Sequence, residues 1–202
     1  MRFDYFTYFV YSPRGNSENA KKSRGLLGIC KNGNSDFSGT LANEIIRNSE
    51  SAFFENSILV PVPRSSPTVE GAVFPSGVIA EALIKKNLSN GISTCLKRVN
   101  AIPKSSSQYS AETRNTVQTH LDSLAVNPEI ILDPNIILID DVLTLGRTAM
   151  ASALKLQEVF PEKTIKIFCP FRTRSFEDNN ILVKVEHGQM ILSPYNKVIL
   201  PD

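Results

Sequence analysis

Short apolar runs along the chain alternate with longer stretches in which apolar residues recur every three or four positions, the patterns of strands and helices. From residue 57 onward the two patterns alternate, which predicts an α/β fold with a central parallel β-sheet flanked by helices. The strand patterns lie at residues 3–12, 57–67, 92–99, 135–140 and 164–171, with weaker signals at 181–187 and 197–200. Residues 57–67 begin as a strand, which the prolines of this segment then break. The helix patterns lie at residues 38–48, with Ser38 as the N-cap, and at 76–87 and 148–160.

Two polar segments interrupt this alternation. Residues 16–34 are polar apart from a short apolar patch at 26–29, and we interpret them as irregular. Residues 100–118 are rich in serine, so we predict a long loop that becomes a helix near Ser110. Loops of this length in compact domains are often functional.

Composition narrows the class of protein without identifying a reaction. The chain has 202 residues, 42% of them hydrophobic and 21% charged, which fits one ordinary globular domain. A formal net charge of +2 does not indicate nucleic-acid binding, although local basic patches leave it open. No apolar run approaches the ~20 residues that span a bilayer, and the first residues lack a signal-peptide cleavage pattern. We therefore expect a cytoplasmic protein that is not bound to a membrane.

The cysteines and histidines show no metal-binding spacing. Cys30, Cys95 and Cys169 lie far apart without a CxxC pair, so we interpret them as small buried hydrophobic residues. His120 and His187 have neither HxxxH nor HExxH spacing, which argues against a zinc site.

Residues 136–150, IILIDDVLTLGRTAM, combine an apolar strand, two adjacent carboxylates and a glycine-containing loop that opens a helix. Such a loop presents backbone N–H groups and a helix dipole to an anion. Asp140 and Asp141 would repel a bare phosphate, but they could accept hydrogen bonds from the hydroxyls of a sugar phosphate. The pattern therefore indicates a phosphorylated ribose, and it matches neither a Walker loop nor a GxGxxG loop. The alternative is that Asp141 and Thr144 only cap the helix.

The stretch ILIDDVLTLGRT resembles the phosphoribosyl-diphosphate (PRPP) signature of the type I phosphoribosyltransferases. The resemblance implies that Asp140 and Asp141 meet the ribose 2′- and 3′-hydroxyls and that the loop backbone holds the 5′-phosphate. The other residues that it assigns to PRPP binding in this stretch are Val142, Leu143, Thr144, Leu145, Gly146, Arg147 and Thr148. The sequence departs from the signature at Leu145, where a small hydroxyl residue is usual.

A second stretch, VPVPRS, sits where these enzymes place a pyrophosphate-binding loop. The resemblance implies that Pro63, Arg64 and Ser65 contribute to PRPP binding. The alternative for Arg64 is an exposed cation on a loop.

Residues 103–114 correspond to the flexible loop that closes over the substrate in this superfamily. Its basic residues are Lys104 and Arg114, and with Asp140 and Asp141 they are the candidate catalytic residues. The alternative for Lys104 and Arg114 is a solvated loop without a catalytic role.

Within the superfamily the sequence is most similar to the ComF-type competence proteins. The segments RGLLGICKNGN and ILVPVP, Phe74, and residues 98–114 follow the order of that family, and the likeness covers roughly residues 5–170. The asparagine and glutamine of its RGFNQ motif are replaced by Pro75 and Ser76, and the four-cysteine zinc element of longer members is absent from this sequence.

The resemblance also implies a small N-terminal hood, residues 1–56, ahead of a phosphoribosyltransferase-type, Rossmann-like core at residues 57–202. In these enzymes the hood binds the acceptor, so the aromatic residues of 3–12 could offer a stacking surface. The alternative is that these aromatic residues pack in the core.

The expected function is that of a magnesium-dependent phosphoribosyltransferase-like protein. It would bind PRPP, or a ribose 5-phosphate nucleotide, and transfer the phosphoribosyl group to an unidentified nitrogen acceptor with release of pyrophosphate. Mg²⁺ would be held mainly through PRPP, and no protein ligand is assigned to it. The alternative is a non-catalytic PRPP- or nucleotide-binding module with a regulatory or DNA-uptake accessory role. We further expect a homodimer.

Overall fold

The computed structural model describes residues 1–67, 71–104, 114–174 and 181–201, which form a mixed, mostly parallel β-sheet with helices on both faces. The predicted α/β architecture is therefore confirmed, although the sheet is mixed rather than wholly parallel. The strands are β1 (Arg2–Tyr11), β2 (Ser57–Pro61), β3 (Gly91–Ile92), β4 (Leu96–Arg98), β5 (Leu124–Val126), β6 (Asn135–Ile139), β7 (Val142–Leu143), β8 (Thr164–Thr173), β9 (Val183–Leu192) and β10 (Val198–Ile199). The helices are α1 (Glu18–Lys31), α2 (Ser35–Arg47), α3 (Pro75–Lys85), α4 (Val117–Ser123) and α5 (Arg147–Val159), and a 3₁₀ helix covers Ser51–Phe54.

The sheet follows the order β10-β9-β1-β8-β6-β2-β3, and the short β7 pairs with the end of β8. Neighbouring strands from β1 to β3 are parallel, so β1, β8, β6 and β2 all end at the same edge. β9 runs antiparallel to β1 and β10 antiparallel to β9. The segments that leave β2 and β6 stay together at that edge, because the N–H of Val62 donates to the carbonyl oxygen of Ile139 at 2.8 Å.

The sequence analysis assigns the N-terminal strand to a hood. In the structure this strand, β1, lies inside the main sheet. β1 forms a parallel ladder with β8 and an antiparallel ladder with β9. In its first part the side chains point alternately to the two faces, as the two-residue period of a strand requires, and the register shifts between Thr7 and Phe9. Phe3 and Tyr5 are buried in one core, and Phe6 and Tyr8 in the other. For these four residues, packing in the core rather than a stacking surface is confirmed.

Two hydrophobic cores cover the two faces of the sheet. One is formed with α4 and α5, and the other with α1, α2 and α3. β6 contributes Ile136 and Leu138 to the first core and Ile137 and Ile139 to the second. Burial on both faces is typical of strands in parallel sheets. Asp140 is the first polar residue after the buried residues 136–139, so it lies where the strand reaches the edge of the sheet. The three cysteines are buried, as predicted.

Helix α1 occupies most of the segment that the sequence pattern indicates to be irregular, so that interpretation is wrong. The Oγ of Ser17 accepts from the N–H of Ala20 at 3.1 Å and caps the helix. Glu18 in the first turn and Lys31 in the last complement the helix dipole. The helix shows little apolar periodicity because its buried face is made mostly of small residues, namely Ala20, Ser23, Leu27 and Cys30.

Two other predicted features differ in the structure, and a third lies outside the described residues. Helix α2 is capped by Asn34 and not by Ser38. The predicted strand at 92–99 is divided between β3 in the main sheet and β4, which pairs with β5 outside it. The predicted helix start at Ser110 lies outside the described residues, and α4 is capped by Thr116.

Candidate ligand-binding site

A cavity of about 380 Å³ opens at the carboxyl edge of the sheet, beyond β2 and β6. Ligands bind at this edge in α/β sheets, and the volume lies within the range of small-molecule sites. The cavity is lined by every residue that the sequence analysis assigns to catalysis or PRPP binding: Pro63, Arg64, Ser65, Lys104, Arg114 and the continuous segment 140–148. Polar side chains that the sequence analysis does not assign also line it: Lys31, Ser76, Arg98, Asn115 and His120.

The acidic pair enters the cavity directly after β6. The N–H of Asp140 donates to the carbonyl oxygen of Phe168 at 3.1 Å, and Oδ1 of Asp140 accepts from the N–H of Asp141 at 2.9 Å. The Nζ of Lys31, at the end of α1, lies 4.0 Å from Oδ2 of Asp141. The backbone therefore fixes the pair, and one half-exposed cation lies beside it.

The surroundings of the acidic pair disfavour its ionisation. Burial, followed by repulsion from Asp141, raises the pKa of Asp140. Burial also raises the pKa of Asp141, against the opposing charge of Lys31. Raised pKa values of this origin are common at functional sites, because a ligand that brings hydrogen-bond donors or a cation offsets the cost.

The loop that follows presents the N-terminus of α5 to the cavity. Gly146 is the N-cap, with φ at +68°, and no side chain caps the helix. The alternative in which Asp141 and Thr144 are helix caps is therefore wrong. The first N–H groups of a helix have no partner within it, and the dipole of a helix as long as α5 favours an anion there. The loop thus offers the donors that a phosphate requires.

Gly146 cannot be replaced by a larger residue without a shift of its surroundings. A Cβ at this position would lie 2.6 Å from Sδ of Met190 and 3.0 Å from Cγ1 of Val198. The positive φ adds a backbone cost for any residue with a side chain. The last two strands therefore pack directly behind the loop and set its position.

Arg172, on β8, supports the same loop from behind. Its guanidinium donates to the carbonyl oxygens of Thr144 at 2.9 Å and Leu143 at 3.2 Å. The Oγ1 of Thr144 lies 2.8 Å from Oγ1 of Thr173, so this hydroxyl is shared with β8. Leu145, where the sequence departs from the PRPP signature, is half-buried and adds an apolar surface to the cavity.

A buried arginine that sequence reasoning missed holds the stretch after β2. The Nε of Arg98 donates to the carbonyl oxygen of Arg64 at 3.0 Å, and its guanidinium donates to Oγ of Ser123. Burial lowers the pKa of Arg98 to about 10, and the charge of Asp140 opposes that shift. The side chain of Arg64 is exposed and donates to the carbonyl oxygen of Val73 at 2.9 Å. Arg98 therefore links the two loops of the cavity electrostatically.

Arg147 joins the cavity to the two described ends of the predicted closing loop. Its guanidinium donates to the carbonyl oxygens of Arg114 at 2.9 Å and Asn115 at 3.3 Å. The Nδ2 of Asn115 in turn donates to the carbonyl oxygen of Pro103 at 2.8 Å. The rest of that loop, residues 105–113, lies outside the described residues.

His120, from α4, is a further buried polar residue of the cavity that the motifs do not indicate. Its Nε2 lies 3.3 Å from Oγ1 of Thr148. Burial, with the charges of Arg98 and Arg147, lowers the pKa of His120 to about 4, so the ring is neutral at neutral pH. Only its place on the buried face of a short helix could have identified it.

The acidic pair provides the chemistry that Mg²⁺ prefers, which is carboxylate oxygen. Within the described ranges, no group of three or more His, Cys, Asp or Glu residues is placed to hold a metal by itself. Two carboxylates without a third ligand fit an ion that takes its remaining ligands from water or from substrate oxygens.

Comparisons with models of known protein families and with curated proteins gave no match. None of the helices in the described ranges combines the length and the apolar character needed for a membrane span.

Proposed function

We propose that this protein is a magnesium-dependent, phosphoribosyltransferase-like protein that binds PRPP in the cavity at the carboxyl edge of the sheet. The observation that carries the proposal is the meeting of an acidic pair, an uncapped helix N-terminus and several cations in one cavity. A ligand with a phosphate, vicinal hydroxyls and a pyrophosphate would use all three. Asp140 and Asp141 would accept from the ribose hydroxyls, and the loop at Gly146 would hold the 5′-phosphate.

The proposed reaction is a substitution at C1 of the ribose. The nitrogen of the acceptor forms a bond to C1 while the bond from C1 to the pyrophosphate oxygen breaks. The electron pair leaves with pyrophosphate, and the acceptor nitrogen loses its proton to solvent. Arg64, Lys104 and Arg114 would stabilise the leaving pyrophosphate, and the acidic pair would orient the sugar and favour the positive charge that develops on it.

Mg²⁺, when bound with PRPP, would neutralise charge on the pyrophosphate. The residues that would lie next to the ion are Asp140 and Asp141. Their raised pKa values support this role, because a cation between ligand oxygens and the pair would favour the ionised carboxylates.

Calorimetry with PRPP and Mg²⁺ tests the binding proposal. We expect heat of binding from the wild type, and a loss of affinity of about 100-fold or more in Asp140→Asn/Asp141→Asn, because hydrogen bonds to two charged groups are lost. Asp36→Asn, an exposed aspartate in the first turn of α2, is the matched control and should bind like the wild type. An absence of heat from the wild type, or equal affinities in all three proteins, would contradict PRPP binding.

A non-catalytic PRPP- or nucleotide-binding module is the second candidate. It is favoured by Pro75 and Ser76, which line the cavity in place of the family's asparagine and glutamine. Pro75 begins α3, and Oγ of Ser76 donates to the carbonyl oxygen of Val62 at 2.8 Å, so neither offers an amide to an acceptor.

Pyrophosphate release separates the two candidates. The protein would be incubated with PRPP, Mg²⁺ and a panel of purines, pyrimidines and simple amines. Release with one acceptor, lost in the double aspartate variant, supports a transferase. Binding without release from any acceptor supports the module. A DNA-uptake role would require binding to nucleic acid that weakens as salt increases.

A further inference from the structure

A second, larger cavity of about 1020 Å³ lies on the other side of the loop at residues 144–147. Its walls come from the start of α4, the end of β8 and the segment around β10. Thr144, Leu145 and Arg147 line both cavities. The volume is at the upper end of the range for small-molecule sites, so an organic ligand would fit.

The walls of this cavity carry positive charge. Arg147, Arg172, Arg174 and Lys197 line it, and no aspartate or glutamate does so in the described part of the chain. The acidic pair belongs to the first cavity alone. The second cavity is therefore lined by positive charge alone, whereas the first also contains the two carboxylates, although the two cavities share one loop.

Of the cations that line this cavity, Arg172 and Lys197 form no ion pair with a carboxylate in the described ranges, although Glu186 and Tyr5 attract the charge of Arg172. Arg172 is only 6% exposed, and its guanidinium donates to the carbonyl oxygens of Leu143, Thr144 and Thr173. A carbonyl group satisfies an N–H donor but does not cancel a full charge. Burial and the charge of Arg174 still disfavour the cationic form of Arg172, so an anion nearby would offset that cost.

The same cavity has an apolar side. Val117, Leu145, Val198 and Leu200 line it, with Tyr195, a residue that is 86% exposed. Between these residues lie uncharged hydrogen-bonding groups, including Thr116, Gln118 and Asn196. An inorganic ion would leave the apolar side unused, whereas an organic anion would use both kinds of surface.

We propose that this second cavity is a binding site for a small organic anion that carries an aromatic or apolar group. The charged end of the ligand would lie toward Arg172 and Lys197, and its apolar part would pack against Leu145, Val198 and Tyr195. Such a ligand would contact the back of the loop at Gly146 and would not meet the acidic pair. The proposal does not depend on the identity of the ligand of the first cavity.

The test uses 1-anilinonaphthalene-8-sulfonate, an aromatic sulfonate whose fluorescence increases in an apolar site. We expect saturable binding to the wild type, weakened about twofold in Lys197→Gln and about fivefold or more in Lys197→Glu. Lys197 is exposed, so neither change should unfold the protein. The matched control is Lys22→Glu, an exposed lysine on α1 that does not line either cavity.

A second control separates this site from the first cavity. Asp140→Asn/Asp141→Asn should bind the probe like the wild type, because these residues lie outside the second cavity. The proposal would be overturned by a wild type that does not bind the probe, or by equal affinities in Lys197→Glu and Lys22→Glu. It would also be overturned if the double aspartate variant changed the affinity more than Lys197→Glu does, because the probe would then occupy the first cavity.

Discussion

Two partly buried clusters of ionisable groups in the described residues differ in how well their charges are matched. The first is the acidic pair Asp140 and Asp141. The second, which we call the β9 cluster, consists of Tyr5, Glu186 and Arg174 and joins β1, β8 and β9. Both lie against the same sheet, but only the β9 cluster is complete without a ligand.

In the β9 cluster the two opposite charges are paired. The guanidinium of Arg174 donates to both oxygens of Glu186 at 2.7 Å, and the hydroxyl of Tyr5 donates to the same carboxylate at 2.6 Å. Burial alone would raise the pKa of Glu186, but the hydrogen bonds from Arg174 and Tyr5 outweigh it and lower the pKa. This carboxylate is therefore more stable ionised in the fold than in water.

At the acidic pair the balance is reversed. Two carboxylates lie side by side, their nearest cation is 4.0 Å away, and the pKa of each is raised. The fold thus keeps a costly arrangement at Asp140 and Asp141 while it satisfies Glu186. A cost of this kind is expected where a ligand completes the cluster. We therefore infer a structural role for the β9 cluster and a ligand-binding role for the acidic pair.

The largest expected effect on stability is that of Glu186→Gln. The change removes the charge that balances Arg174 inside the sheet, so the free energy of unfolding should fall by about 2–4 kcal/mol. Urea unfolding at neutral pH would measure it. Glu158→Gln is the control, because Glu158 is 73% exposed and lies 3.9 Å from Lys155 on the surface of α5. If the two variants were equally stable, the β9 cluster would not have the structural role assigned to it.

Gly146→Ala should have the next largest effect. The positive φ and the contact of a new Cβ with Met190 and Val198 should lower the free energy of unfolding by about 1–3 kcal/mol. The control is Gly25→Ala within α1, where nothing lies within 4 Å of the new Cβ. That change should stabilise the protein by about 0.5–1 kcal/mol in the same unfolding measurement. A stable Gly146→Ala variant would contradict the view that the last strands fix the loop.

Asp140→Asn should change stability in the direction opposite to Glu186→Gln. The raised pKa of Asp140 means that the folded state holds the proton more tightly than the unfolded state does. Asp140 therefore lowers the stability of the fold once the pH exceeds the pKa that this carboxyl has in the unfolded chain. Asparagine cannot ionise, and its Oδ1 can still accept from the N–H of Asp141. We expect the variant to be about 1 kcal/mol more stable than the wild type at pH 8.

The pH dependence is the control for this prediction. The advantage of Asp140→Asn should disappear at pH 3, where Asp140 is protonated in both states. Thermal unfolding of the two proteins across this range would show it. A variant that is less stable than the wild type at pH 8 would show that the acidic pair supports the fold.

The smallest expected effect is that of Lys31→Gln. Lys31 opposes the rise in the pKa of Asp141, but the pair is half-exposed and 4.0 Å apart, so it contributes little. If the first cavity binds PRPP, calorimetry should show an affinity lowered by about two- to fivefold. Lys22→Gln, on the same helix, should bind like the wild type. A loss as large as that of the aspartate variant would mean that Lys31 contacts the ligand directly.

The parts of the fold that could be predicted from the sequence are those where one pattern dominates. β6 is a short continuous apolar run and α5 shows helix periodicity, so the acidic pair between them could be placed at a strand end. Helix α1 could not be predicted, because small residues such as Ala20 and Ser23 form its buried face and show no apolar period. The place of β1 inside the sheet depends on its pairing with β8 and β9. These strands are distant in sequence, so the local pattern of residues could not predict the pairing.

The candidate site was predictable only where it is continuous in sequence. The segment from Asp140 to Thr148 forms one wall of the cavity as a single motif. Arg98 and His120 reach the same cavity from elements that are separate in sequence, and burial is what shifts the pKa of each. Side chains of this kind can be recognised only after the chain has folded, because their environment rather than their spacing gives them their properties.

The position of β1 also has a consequence for how the protein is made. β1 precedes its neighbours β8 and β9 by most of the chain, and the register pairs Asp4 with Lys166. β1 therefore cannot pair with β8 or β9 until most of the chain has been synthesised. Sheets built from such distant partners fold slowly, and an unpaired apolar strand is prone to associate with other chains. The strand that completes the centre of the sheet is thus the segment that a nascent-chain chaperone would have most reason to shield.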